Sequence, residues 1–236
     1  MSQASDPLRR AADVMRAVRE RCVWTQQITH RDLIPYLVEE SAELIDAVED
    51  GTRADMREEL GDLLWQVLFH AEIASRDQLD PFDIDDVAAG LAEKMVRRHP
   101  HVFGDAVATT PDEVLVLWNA AKAAEKRERR SVLDGVSQRM PSLALAQKMV
   151  GRAGHLRSPG ASWALGERDG PARTAEPATE AELGEALLAL VRLAADRGWD
   201  AERALRERLR VLRADVSAAE TAREAAAGEG AGDLQR

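Results

Sequence analysis

A single cysteine, Cys22, leaves no intramolecular disulfide to be made and excludes the disulfide-stapled class of small secreted folds. Aromatic residues are scarce, at 4% of 236 residues, and Val and Ile never alternate with polar residues for long, so sheets are disfavoured. No apolar run reaches the roughly 20 residues that a membrane-spanning helix needs, and the opening stretch MSQASDPLRRAADVMRAVRE holds no apolar signal core. A surplus of positive charge is also missing. The formal net charge of −10 disfavours nucleic acid and anionic membranes as partners, since both attract cationic surfaces. A cytoplasmic location is expected, with no membrane or nucleic-acid partner, and a small anionic substrate would need local cations or a metal ion.

What is present favours helices. Ala, Leu, Glu and Arg dominate, and an apolar fraction of 45% is ample for a core. Leu8, Ala12, Met15 and Val18 recur at helical spacing and predict a helix over 6–21. A second helix is predicted over 33–49, with Leu37, Leu44, Ile45 and Val48 on one apolar side and Asp50-Gly51 as its stop. A third follows over 54–75, and the short link between them makes the two antiparallel neighbours. A fourth begins at 83–85, where DPFDID offers caps and first-turn negative charge, and ends at His99-Pro100. PHVFGDAVATTPDE reads as a loop. A helix over 111–130 closes on EKRERR, a charge run that reads as a solvated helix end. The Gly- and Pro-rich stretch at 157–180 reads as a linker. Helices over 182–197 and 200–216 flank a turn at Gly198, and the tail at 217–236 is expected to be disordered. The expected fold is all-α, a helical bundle.

The chemistry concentrates in YLVEESAELIDAV and REELGDLLWQVLFHAEIA. Side chains three or four apart share a helix face, so Glu40 and Glu43 point one way, as do Glu59 and Asp62, with Glu39 flanking. One E-x-x-E alone is ordinary on a solvated helix. On an antiparallel hairpin, E-E-x-x-E followed by E-x-x-D brings two acidic stripes together, where mutual repulsion calls for a cation. All-oxygen ligation suits Mg²⁺, with Mn²⁺ as a substitute, and Mg²⁺ commonly completes its shell with substrate phosphate oxygens. In EKMVRRHPHVFGD, Lys94, Arg97 and Arg98 share one side of the fourth helix and could hold a polyphosphate. Trp118 could stack on a base, with Lys122 one turn on; the ordinary alternatives are core packing and surface charge. The histidines show no compact ligand spacing and are read as structural or peripheral.

These segments, in this order, resemble the MazG family of nucleoside triphosphate pyrophosphohydrolases, within the all-α NTP pyrophosphatase superfamily. The resemblance runs through CVWTQQITHRDLIPYLVEESAELIDAV, REELGDLLWQVLFHAEIA, EKMVRRHPHVFGD and LWNAAKAAEK, which is most of 20–150. It implies an all-α fold, a homodimer, and Mg²⁺-dependent cleavage of an NTP or dNTP to the monophosphate and pyrophosphate, in house-cleaning or control of nucleotide pools. It makes Glu40, Glu43, Glu59 and Asp62 metal ligands, with Glu39 adjoining. Lys94, Arg97 and Arg98 become phosphate contacts, Trp118 a nucleotide contact, and Tyr36 a neighbour of the nucleotide. Where the family usually has C-P-W-D, this chain has Cys22-Val23-Trp24-Thr25.

ELGEALLALVRLAADRGWD, from Glu182, echoes ELGDLLWQVLFHAEIASRD, from Glu59, and resembles the remnant of a second repeat. Glu182 and Glu185 lack a preceding E-E-x-x-E helix, so this repeat, over 181–216, is expected to be degenerate and non-catalytic beside a first domain over 1–156. The competing functions are a non-catalytic nucleotide-binding regulator that retains the site, and a redox carboxylate bundle. The latter normally requires E-x-x-H pairs that this chain does not have.

Overall fold

The computed structural model describes residues 6–125, 131–153 and 177–232, with side chains as far as residue 218. All regular structure among the described residues is helical, as the composition predicts. The chain divides into two compact units, 1–126 and 127–236.

In the first unit, α1 (Pro7–Arg21) starts where the Asp6 carboxylate accepts from the Leu8 amide, and Ala12 and Met15 turn inward. A single turn at Thr25–Gln27 follows, anchored by the buried Thr25 hydroxyl, which donates to the Val18 and Cys22 carbonyls at 2.9 and 3.0 Å. Helix α2 (Ile34–Glu49) and α3 (Arg53–Ala74) form the predicted hairpin and make the most extensive helix contact among the described residues. Its turn is tight. A Cβ on Gly51 would lie 2.6 Å from the Ala47 Cα, so glycine lets the chain pass close to the end of α2. Thr52 and Asp55 then make a reciprocal capping box that satisfies the first amides of α3.

Leu33, Leu68 and Phe69 complete the core begun by Ala12 and Met15, with Phe69 and Leu33 fully buried. Trp65 meets Phe69 edge to face at 5.3 Å between ring centroids. The apolar side expected for α2 is only partly used, because α3 is the helix that covers it: Ala47 is buried, while Leu37, Ile45 and Val48 are exposed. Helix α4 (Ile84–Arg98) begins with an Asp83–Asp86 capping box, and Arg9 of α1 pairs with Asp85 in its first turn. The segment read as a loop contains one short helix, α5 (Pro100–Phe103), before α6 (Pro111–Ala124). Helix α6 ends earlier than expected; 126–130, including most of the charge run, lie outside the described residues.

In the second unit, α7 (Ser142–Ala153), a helix absent from the sequence expectations, packs with α8 (Glu180–Asp196) and α9 (Ala201–Gly232). The first domain expected over 1–156 includes residues 142–153, which lie in the second compact unit. Gln147 joins the three by donating to the Trp199 carbonyl and accepting from the Ala201 amide. Gly198 makes the α8–α9 turn at φ 67°, a left-handed conformation that glycine adopts without strain. Of the expected linker, 157–176 lie outside the described residues. Of the expected tail at 217–236, α9 is described through the Ala-rich sequence to Gly232, consistent with alanine's helix propensity, and 233–236 lie outside the description.

Candidate metal and nucleotide site

The α2–α3 hairpin brings Glu40, Glu43 and Glu59 together, with one carboxylate oxygen from each lying within 4.8 Å of the others. Glu40 and Glu59 are half-buried and Glu43 is exposed. Burial pushes the Glu40 carboxyl above its ordinary range, and the negative charges of Asp62, Glu43, Glu39 and Glu59 push it further. Glu59 is raised in the same way, first by burial and then by Glu43, Asp62, Glu58 and Asp55. Burial and like charge are thus the influences that raise both carboxyls. A divalent cation removes that repulsion, and a cluster of carboxylate oxygens is the donor set that hard cations prefer, so these residues fit a divalent metal ion.

Asp62 and Glu39 stand outside the close trio, though both are near enough to act on Glu40 electrostatically. Beside the trio, an open hollow is lined by Glu43, Asp46, Ala47, Asp50, Gly51, Asp55 and Glu59. Asp46 continues the three-residue spacing from Glu43, and Asp50 belongs to the expected stop of α2, yet neither is among the residues expected to hold metal. Asp55 is engaged in capping α3.

The basic segment occupies the last turns of α4. Lys94 is half-buried, the Arg97 side chain is 55% exposed, and the Arg98 side chain is 12% exposed. Both arginines reach Glu125, just past α6: Arg97 Nη2 at 3.4 Å, and Arg98 Nη2 at 2.6 Å. The Arg98 hydrogen bond raises the guanidinium pKa and lowers that of Glu125. Arg98 also lies over the Trp118 ring, 5.1 Å from its centroid, while His99 meets the same ring edge to face at 5.0 Å. Thus Arg97, Arg98 and Trp118 are gathered at one corner. Lys122 is one turn beyond Trp118 on α6, and Tyr36 is exposed in the first turn of α2.

Sequence reasoning missed Glu125 because it absorbed this residue into a charge run. It also missed the pairing of His30 and His70, whose Nδ1 atoms are 2.8 Å apart in stacked rings, because 40 residues separate them. Burial lowers the His70 pKa, and the neighbouring His30 lowers it further.

The echoed tetrad has a different setting in the second unit. Glu182 lies in the first turn of α8, where its Oε2 accepts from the Ala178 amide at 2.7 Å and its own amide donates to the Thr179 hydroxyl. Glu59 instead lies two turns into α3.

Residues 28–103 match the MazG nucleotide pyrophosphohydrolase domain, a span that holds the α2–α3 carboxylates and the α4 basic segment. An uncharacterized 26.1 kDa protein from Streptomyces cacaoi is 54% identical over 141 residues, covering 60% of this chain and 58% of that protein. The nucleoside triphosphate pyrophosphohydrolase of Mycobacterium tuberculosis is 47% identical over 152 residues, covering 64% of this chain and 46% of the relative. That of Escherichia coli K12 is 35% identical over 203 residues, covering 79% and 75%. The chain thus spans about half the length of the first two relatives and three quarters of the third. From the carboxylate hairpin and this extended likeness, the chain belongs to the MazG family of nucleoside triphosphate pyrophosphohydrolases.

Proposed function

We propose that this chain hydrolyses nucleoside triphosphates at the α–β phosphoanhydride bond, releasing a nucleoside monophosphate and pyrophosphate, with Mg²⁺ as cofactor and Mn²⁺ as a substitute. The observation that carries this reading is the convergence of Glu40, Glu43 and Glu59 within 4.8 Å on a hairpin where burial and like charge raise the Glu40 and Glu59 carboxyls. These three, with Asp62, would hold the metal. Bound Mg²⁺ would lower the pKa of an attacking water and offset charge on the leaving pyrophosphate. Glu39, at the edge of the cluster, is placed to accept a proton or to orient water. Lys94, Arg97 and Arg98 hold the leaving phosphates, and Trp118, Lys122 and Tyr36 contact the nucleotide.

The second half, with Glu182 spent on capping α8, is non-catalytic. The first unit works as a homodimer in the cytosol. Support for the dimer comes from Ile34, Val38, Ile45 and Val48, spaced along one side of α2 and 54%, 65%, 39% and 63% exposed. No described helix is long and apolar enough to cross a membrane. The decisive assay is a panel of NTPs and dNTPs with Mg²⁺, resolving monophosphate plus pyrophosphate from diphosphate plus phosphate. Diphosphate and phosphate as products would reject the proposed bond. Binding without turnover would favour a regulatory protein that retains the site.

A further inference from the structure

The Arg98 guanidinium is held along one edge only. Its Nε donates to the two Glu125 carboxylate oxygens at 3.3 and 3.2 Å, and its Nη2 donates to Oε2 at 2.6 Å. Trp118 supports the guanidinium 5.1 Å from its ring centroid, and His99 meets the same ring edge to face at 5.0 Å. The described residues give the Arg98 Nη1 amino group no hydrogen-bond partner. A planar guanidinium carries donors along more than one edge, so a carboxylate on the Nε–Nη2 edge leaves Nη1 available to a phosphate oxygen.

Arg97 is held differently. It reaches the same Glu125 at 3.4 Å and Glu93 at 4.0 Å, and over half of its side chain is exposed. An exposed ion pair of this length is weak and readily exchanged. The Arg98 side chain, at 12% exposure, has little freedom once its carboxylate partner and its tryptophan are in place.

We propose that Glu125 is a positioning residue for polyphosphate binding: it fixes the Nε–Nη2 edge of Arg98 above Trp118, so that the Nη1 edge is preorganised for a substrate phosphate while Arg97 remains an exchangeable cation. This rests on the proposed role of Arg98 as a phosphate contact. Glu125 touches no substrate in this scheme. Its effect reaches the phosphate through Arg98, as preorganisation that lowers the ordering cost of binding.

The test is steady-state pyrophosphate release by the full chain, comparing wild type, Glu125→Ala, Glu125→Gln, Arg98→Ala and the Glu125→Ala/Arg98→Ala double variant, with circular dichroism confirming that each is folded. Losing a charge-assisted hydrogen-bond pair predicts a rise in KM of about tenfold for Glu125→Ala, with a much smaller change in kcat. Glu125→Gln, which keeps one acceptor oxygen, should fall between wild type and Glu125→Ala. In the Arg98→Ala background, Glu125→Ala should have no further effect on KM. An unchanged KM in folded Glu125→Ala, or an undiminished effect in the double variant, would overturn the positioning role. A lower KM would overturn it too, by showing that Glu125 competes with phosphate for the arginine. The wild-type control separates the two readings: absence of pyrophosphate release rejects the proposed activity, whereas wild-type turnover with unchanged KM in Glu125→Ala rejects only the inference about Glu125.

Discussion

Replacing Glu40 by Gln should make the metal-free chain more stable while removing its turnover. Glu40 has two carboxylate neighbours, Glu43 and Glu59, with ligand oxygens within 4.8 Å. At that distance, and with the dielectric constant of bulk water because the site is open to solvent, each like-charge pair costs about 0.9 kcal/mol. Two pairs therefore cost about 1.7 kcal/mol, and screening at physiological ionic strength, with a Debye length of about 8 Å, roughly halves this. Glu40→Gln should then raise the stability of the first unit by about 1 kcal/mol, or about 2–4 °C in Tm. Thermal unfolding in EDTA measures this directly. In millimolar Mg²⁺ the order should reverse, since a ligand that binds only the folded chain stabilises it and the variant lacks one carboxylate of the cluster. Pyrophosphate release completes the assay. A variant less stable than wild type in EDTA, or one that retains wild-type turnover, would refute the reasoning.

The same comparison has a defined pH dependence. Glu40 and Glu59 have raised carboxyl pKa values in the folded chain, so their contribution to stability is fully present below the ordinary value of 4.5 and is lost as pH rises through the raised folded values. The Tm advantage of Glu40→Gln over wild type in EDTA should accordingly vanish at acidic pH and grow through that window; an advantage independent of pH would count against charge repulsion as its source. Two glycines of the hairpin should behave oppositely. Gly61 lies inside α3 with nothing within 4 Å of a built Cβ, so Gly61→Ala should stabilise by roughly 0.5–1 kcal/mol through helix propensity. Gly51→Ala must displace the Ala47 backbone and should destabilise by about 2 kcal/mol, as denaturant titration of the pair would reveal. Phe69→Ala, which empties a fully buried site, should cost about 3–5 kcal/mol in the same titration.

Helices α1, α3 and α4 were legible because their local signals agree with one another, and α2 because its apolar spacing ends at Asp50-Gly51. Asp6, Thr52 and Asp83 each accept from amides of a first turn, and the inward positions Ala12, Met15, Leu68 and Phe69 follow helical spacing. The carboxylate trio was legible for a related reason. Its members lie on two helices joined by a tight turn, so periodicity places each stripe and the short link brings the stripes together. The Glu125 pairing had no such route. Arg98 and Glu125 are 27 residues apart, on elements whose approach depends on the path through α5 and the following loop. Neither residue stands out locally: Arg98 looks like a favourable C-terminal helix charge, and Glu125 looks like one acid among several cations. The exposed side of α2 marks another limit, since periodicity identifies an apolar face without identifying what covers it.

The two E-L-G tetrads show why helix register matters as much as motif. An acid in the first turn is close to the backbone that leads into the helix, and Glu182 uses its carboxylate there, accepting from the Ala178 amide just ahead of the Thr179 N-cap. Glu59 is farther into its helix, beyond the region where amides need side-chain partners, and the first turn of α3 is already served by Thr52 and Asp55. Its carboxylate is therefore available to face Glu40 and Glu43 across the hairpin. The difference originates upstream of both tetrads. In the first unit, Gly51 and Thr52 start α3 early enough to carry Glu59 past its own cap. In the second, Thr179 starts α8 so late that Glu182 becomes part of the cap. The same three letters can thus supply a ligand in one helix and an end-group in another, because the position of the N-cap decides which backbone amides remain for the acid to satisfy.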